Sequence, residues 1–378
     1  MDPMLRTLIF IAVVLLVLGG ASVYMAERSM ALAPVLAAHP APVWGFFGAF
    51  VLLLFTVPVL QRWPLLGPAR VPVVWTGYLL FGFVSTYLIY LAVADLGQAL
   101  LGRIGLRHAG PWALGLALGA TLVSLLLGWR TAMGPAVLRR VEVPIQDLPT
   151  DLDGFTLVQI SDLHLDPLVP MARVDQLVAA VNALAPDLIA VTGDLVDGDE
   201  PDTRAKVRRL AGIRARHGVC FVTGNHEYYS GVGHWLDLLR ELGWTVLDNQ
   251  HVLLTRGGAR LAVAGMPDPA AATLGRGPDL AQALAGMPAD AVPVLLFHPP
   301  TGFQAAAAAG VRLQLSGHTH AGQYFPWSLV VSALFTHARG LGRSGSMWIY
   351  TSVGTGFWGP PSRFLVPPEL TLLTLRRA

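Results

Sequence analysis

Two histidines stand one residue apart in Gly317-His318-Thr319-His320, directly after the apolar run 311–315. Imidazoles at alternate positions beyond a strand can aim their ring nitrogens at one point, and Gly317 is expected to let the backbone turn there. Similar residues follow other apolar runs. Asp162-Leu163-His164 comes after the run ending at Ser161, Gly193-Asp194 after Thr192, Gly224-Asn225-His226-Glu227 after Thr223, and His298 after Phe297. Each alone reads equally well as a capping carboxylate or a surface imidazole. Five strand ends delivering Asp, Asn and His together point to a site for divalent metal, because strands fix side chains that loops keep accessible. Carboxylate, amide and imidazole donors without a thiolate suit Mn2+, Fe2+ or Zn2+ and argue against a structural zinc.

The elements that must hold these residues are short β-branched runs at 155–161, 187–192, 218–223, 260–265, 292–297, 312–316, 347–352 and 369–375. Helical patterns at 171–184, 202–217 and 233–243 alternate with the first of them, which makes the region α/β. The later strands have less helix between them and are expected to form a second sheet. The Ala-rich run 305–309 reads as a short helix.

Composition separates this region from the rest of the chain. Of 378 residues 53% are hydrophobic and 13% charged, against roughly a quarter charged in a soluble domain. Only nine charged residues fall in the first 128, so the chain divides into a membrane part and a water-soluble part. Four apolar stretches, about 8–25, 43–60, 73–94 and 111–129, are long enough to span a bilayer as helices. The first also resembles a signal peptide, but three more spans favour an anchor. Trp44, Trp63, Trp75, Trp112 and Trp129 sit near segment ends, where indole rings favour the headgroup layer. The expected organisation is a transmembrane domain at 1–130, a linker at 131–150 and a catalytic domain at 151–378.

An even number of spans puts both termini on one side. Arg6, Arg62, Arg70, Arg130, Arg139 and Arg140 flank the spans on that side and Arg28, Arg103 and Arg107 on the other, which points to a cytoplasmic catalytic domain in a multi-pass inner or plasma membrane protein. Asp95 is expected at the end of its span. A net charge of +2 gives no case for nucleic acid, and Cys220, the sole cysteine, allows no intrachain disulfide.

The ordered set DLH, GD, GNHE, H and GHTH resembles the calcineurin-like metallophosphoesterases over roughly residues 154–375. GHTHAGQ, SVGTGFWGPPSRF and PPELTLLTL are similar to the membrane-associated branch, transmembrane proteins with a metallophosphoesterase domain. The resemblance implies a two-sheet β-sandwich flanked by helices and two divalent ions, most simply Mn2+. It makes Asp162, His164 and His320 ligands of one ion and Asn225, His298 and His318 ligands of the other, with Asp194 bridging both. His226 is implied as proton donor to the leaving oxygen, with a role in orienting Asp162 as the alternative. The implied reaction is hydrolysis of a phosphate ester or pyrophosphate by a metal-bridging hydroxide.

Beyond GHTH, the segment 324–337 is too apolar for an ordinary exposed loop and is expected to pack on the spans or touch lipid. That favours an amphiphilic or lipid-linked substrate; UDP-2,3-diacylglucosamine is one that the resemblance includes. Arg339, Arg343 and Arg363 could pair with a second phosphate or a substrate carboxylate, or be solvated surface residues. A phosphodiesterase acting on a soluble nucleotide or phosphoprotein is the enzymatic alternative. A catalytically inactive metal-binding scaffold or sensor is the reading from another class.

Overall fold

The computed structural model of the protein describes residues 3–61, 70–103, 110–199 and 201–378. It begins with helices α1 (Pro3–Leu32), α2 (Pro34–Ala37), α3 (Pro40–Gln61), α4 (Arg70–Arg103) and α5 (Gly110–Met133). Two compact units result. One comprises Met1–Leu127 and Gly359–Pro361, the other Gly128–Trp358 and Ser362–Ala378.

The long helices of the first unit follow from uninterrupted apolar sequence, since in lipid a backbone must satisfy its own hydrogen bonds. Among the described residues, Ala12–Leu32, Val71–Arg103 and Gly110–Met133 are long and apolar enough to cross a membrane, and a shorter apolar stretch covers Pro40–Leu54. The four expected spans thus fall on four helices, one of which is shorter by this measure. Arg62, Trp63 and Arg107 lie outside the described residues. Met25, Phe47, Phe50, Tyr87 and Leu91 form the centre of this unit. Asp95 was expected at a span end, but α4 continues past it to Arg103, and the carboxylate is ion-paired with Arg28 of α1 and accepts a 3.3 Å bond from Tyr24 Oη.

Among the described residues the second unit has twelve strands: β1 (Val137–Ile145), β2 (Thr156–Ile160), β3 (Leu188–Thr192), β4 (Val219–Val222), β5 (Thr245–Val246), β6 (Gln250–Arg256), β7 (Ala259–Gly265), β8 (Val292–Leu296), β9 (Leu313–Ser316), β10 (Gly340–Ser344), β11 (Met347–Thr351) and β12 (Glu369–Arg377). They form two six-stranded sheets, ordered β1-β12-β2-β3-β4-β5 and β10-β11-β9-β8-β7-β6. Helices α6 (Met171–Ala183), α7 (Pro201–Arg209), α8 (Asn225–Tyr229), α9 (Val232–Glu241), α10 (Leu280–Leu284), α11 (Phe303–Ala308) and α12 (Trp327–Leu334) complete it.

Strand alternation explains the layering. In β3, Leu188 and Ala190 face the layer between the sheets, where they meet Leu261, Val294 and Leu315, while Ile189 and Val191 face Val181 of α6 and Trp235 of α9. Because both faces are covered, such strands read as continuous apolar runs. The expected two-sheet sandwich with flanking helices is what the chain forms. The expected linker 131–150 requires correction: β1 lies in it, paired in parallel with β12. Its exposed Arg139, Arg140 and Glu142 disguise it, because an edge strand faces solvent along much of its length.

Candidate metal centre

Parallel pairing of β2 with β3, β3 with β4, and β8 with β9 carries the predicted donors to the same ends of neighbouring strands. The chain must then turn sharply. Asp162, His164, Asp194, His318 and His320 all have positive φ, between 47° and 69°. Left-handed backbone costs a non-glycine residue roughly 1–2 kcal/mol, so surrounding bonds must hold each one. They do: Asp162 N donates to Gly193 O at 3.0 Å, His164 N to Asp194 O at 3.0 Å, and His318 N to Asp162 Oδ1 at 2.9 Å. Gly317 does not make the turn expected of it, since the positive φ belongs to His318. Its value is closeness, for a Cβ there would lie 2.0 Å from Ser161 Oγ and 2.2 Å from Asp162 Oδ2.

The donor atoms converge. His164 Nε2 lies 3.0 Å from His320 Nε2, and His320 Nε2 lies 3.3 Å from Asp162 Oδ1. On the other side, His318 Nδ1 lies 3.3 Å from His298 Nε2 and 3.1 Å from Asn225 Oδ1. Asp194 stands between these groups, with Oδ2 at 3.1 Å from His298, 3.8 Å from His164 and 4.0 Å from His226. Asp162, His164 and His320 can share one cation, and Asp194, His298 and His318 another.

Neighbouring groups prepare these donors for a cation. The Nδ1 of His298 donates to Thr192 O at 2.7 Å and that of His164 to Asp197 Oδ2 at 3.1 Å, so each ring turns its Nε2 to the centre. His320 differs, because Arg363 Nη2 donates to its Nδ1 at 2.9 Å. A neutral ring then carries its proton on Nε2, the atom that faces His164 and Asp162. Burial opposes ionisation of Asp162 and Asp194, yet the surrounding imidazoles outweigh it and hold both carboxyls below their ordinary range. Burial likewise pulls His298 down, but the Asp194 and Asp162 carboxylates raise it to about 10. Carboxylate charge strong enough to hold a proton on His298 is charge that a cation could balance in that proton's place.

His226 Nδ1 is hydrogen-bonded to the other oxygen of Asp197. Burial lowers its basicity, but Asp197 and Asp194 win and raise it to about 9. Its Nε2 lies towards Asp194. Glu227 is buried and accepts from the amides of Asp194, Leu195, Val196 and Gly224 at 3.0, 2.7, 3.3 and 2.6 Å.

All seven predicted ligands and His226 thus come together. The three arginines do not join them as a group. Arg343 is exposed on β10, donates to Gly345 O at 2.9 Å and stacks over Trp348, and Arg339 is exposed just before that strand. Arg363 is completely buried, bonded to Val353 O, Gly356 O and His320, so it faces that imidazole rather than solvent. Asp197 escaped sequence reasoning. The available signal was a second acid three residues after Asp194, in Gly-Asp-Leu-Val-Asp.

Comparison with known proteins gives the family. Residues 155–322 match the family described as calcineurin-like phosphoesterase. An uncharacterised metallophosphoesterase of Campylobacter jejuni is 30% identical over 98% of both chains. A transmembrane protein with metallophosphoesterase domain from Bos taurus is 37% identical over 70% of this chain, and the match spans 62% of that relative's length. A dimetal phosphatase from Danio rerio superimposes with a TM-score of 0.35 at 14% identity, covering 54% of this chain and 88% of that one. With its donor set complete and a relative matched from end to end, the chain belongs to the calcineurin-like metallophosphoesterases.

Proposed function

We propose that this protein is a membrane-anchored phosphohydrolase acting on an amphiphilic phosphate ester or pyrophosphate, with Asp162, His164 and His320 holding one divalent ion and Asn225, His298 and His318 a second, bridged by Asp194. The observation that carries the substrate class is the exposed apolar side of α12. Leu329, Val330 and Leu334 lie open there, on the segment that directly follows ligand His320. That segment is joined to the one bearing Leu365, also exposed, through Phe325 N donating to Phe364 O at 2.9 Å. A soluble enzyme for a small polar ester has no use for this surface.

Two divalent cations supply an activated water nucleophile and neutralise phosphoryl charge when bound. The chain's own work is the rest. Asp194 sets the spacing of the two groups, Asp197 orients His164 and keeps His226 protonated, and His226 Nε2 hands its proton to the departing oxygen. Manganese is the first ion to test. The arginine bias of the span flanks favours a cytoplasmic catalytic unit, which accessibility labelling of Cys introduced on either side can check.

The test uses purified full-length protein with Mn2+. Hydrolysis of bis-p-nitrophenyl phosphate that chelation abolishes is expected, together with faster turnover of UDP-2,3-diacylglucosamine than of its deacylated form. Equal rates on the acylated and deacylated compounds would remove the amphiphile. Stable metal binding without hydrolysis of any of them would leave a scaffold.

A further inference from the structure

Tyr229 ends α8, three residues after His226, and Trp358 lies far away in sequence, yet both rings stand against the His226 imidazole. The centroids are 5.4 and 5.7 Å from it, at steep interplanar angles of 64° and 72°. Large aromatic side chains usually bury their rings, but these are 61% and 45% exposed. Trp358 is not loosely held. Its backbone N donates to Gln323 Oε1 at 2.7 Å and its O accepts from Gln323 Nε2 at 2.8 Å, so one buried amide clamps the main chain and leaves the indole free at the surface. Asp197 occupies Nδ1 of His226, so only Nε2 can meet substrate, and whatever approaches it does so beside these two rings.

We infer that Tyr229 and Trp358 form an aromatic rest for the leaving group and select leaving groups that carry a planar ring. Exposed π-faces beside a proton donor offer stacking to an aryl or nucleobase ring, and offer less to a flexible chain or a bare alcohol. The inference rests on His226 facing the leaving oxygen.

Bis(2-phenylethyl), dihexyl and diethyl phosphate test it, because their leaving alcohols are similar in acidity and differ in what they present to the rings. Trp358→Ala and Tyr229→Ala should each lower kcat/KM on the phenylethyl ester by about ten-fold, and the loss should be several times greater than on the other two. Trp358→Phe should restore most of it. Equal losses on the phenylethyl and hexyl esters would overturn the preference for a ring, and equal losses on all three would make the rings mere packing for His226. His226→Gln separates the underlying assumption: if that variant hydrolyses all three esters normally, the donor assignment fails, whatever the aromatic variants do.

Discussion

Replacing Leu329, Val330 and Leu334 of α12 by serine removes the apolar surface that the proposed substrate class needs. These side chains are 63%, 39% and 74% exposed, so most of their area is already outside the core. Full burial of such a side chain is worth roughly 1.5–3 kcal/mol; scaled by those exposures, the three together could contribute about 3–5 kcal/mol to holding acyl chains or lipid. Half of that engagement gives about 2 kcal/mol, a thirty-fold rise in KM for an amphiphilic substrate. Hydrolysis of bis-p-nitrophenyl phosphate should change little, since every proposed ligand and His226 is untouched. The structure sharpens the choice of residues, because Trp327 and Phe335 on the same segment are half-buried and their loss would weaken packing as well. The assay measures both substrates in parallel, with a thermal melt beside them. An unchanged KM for the amphiphile, or a fall in both activities with a lowered melt, refutes the reasoning.

Asp194→Asn should weaken metal binding at both positions by about 100-fold and abolish most turnover; metal analysis finding two ions per chain with near-normal activity would reject the bridge. His226→Gln should retain metal and lose about 100-fold on alkyl esters but much less on p-nitrophenyl esters, which leave without a proton. Because the Asp197 carboxylate raises His226, the pH above which turnover of alkyl esters falls should move down in Asp197→Asn. The same pair has a signature in stability. A histidine whose folded pKa is raised stabilises fully below its unfolded value near 6.5 and loses that contribution as pH climbs towards 9, so Asp197→Asn should lower the melting temperature more at pH 6 than at pH 9.5.

What could be read from sequence followed from burial. β3 and β8 are covered on both faces and announce themselves as runs of Val, Leu and Ile, and the donors sit at their ends because rigid strands must aim them. β1, β5, β6 and β10 were not legible. They are the four sheet edges, where exposed Arg, Gln and Gly residues blur the alternation and β5 is only two residues long. Arg363 was misjudged for a different reason. Nothing in its neighbours Ser362 and Phe364 tells that it folds inward onto a histidine 43 residues earlier. Asp197 was missed because its partners, His164 and His226, lie 33 and 29 residues away on either side.

Glu227 links the loop after β3 to the loop after β4 by receiving amides from both. Neither loop can keep its conformation if the other opens, because the carboxylate would then leave buried N–H groups without acceptors. The two loops therefore form one cooperative unit of local unfolding. In hydrogen exchange the amides of Asp194, Leu195, Val196 and Gly224 should share a single protection level. On the proposed assignment, loss of one ion would accordingly be felt at the other through the main chain, as well as through Asp194.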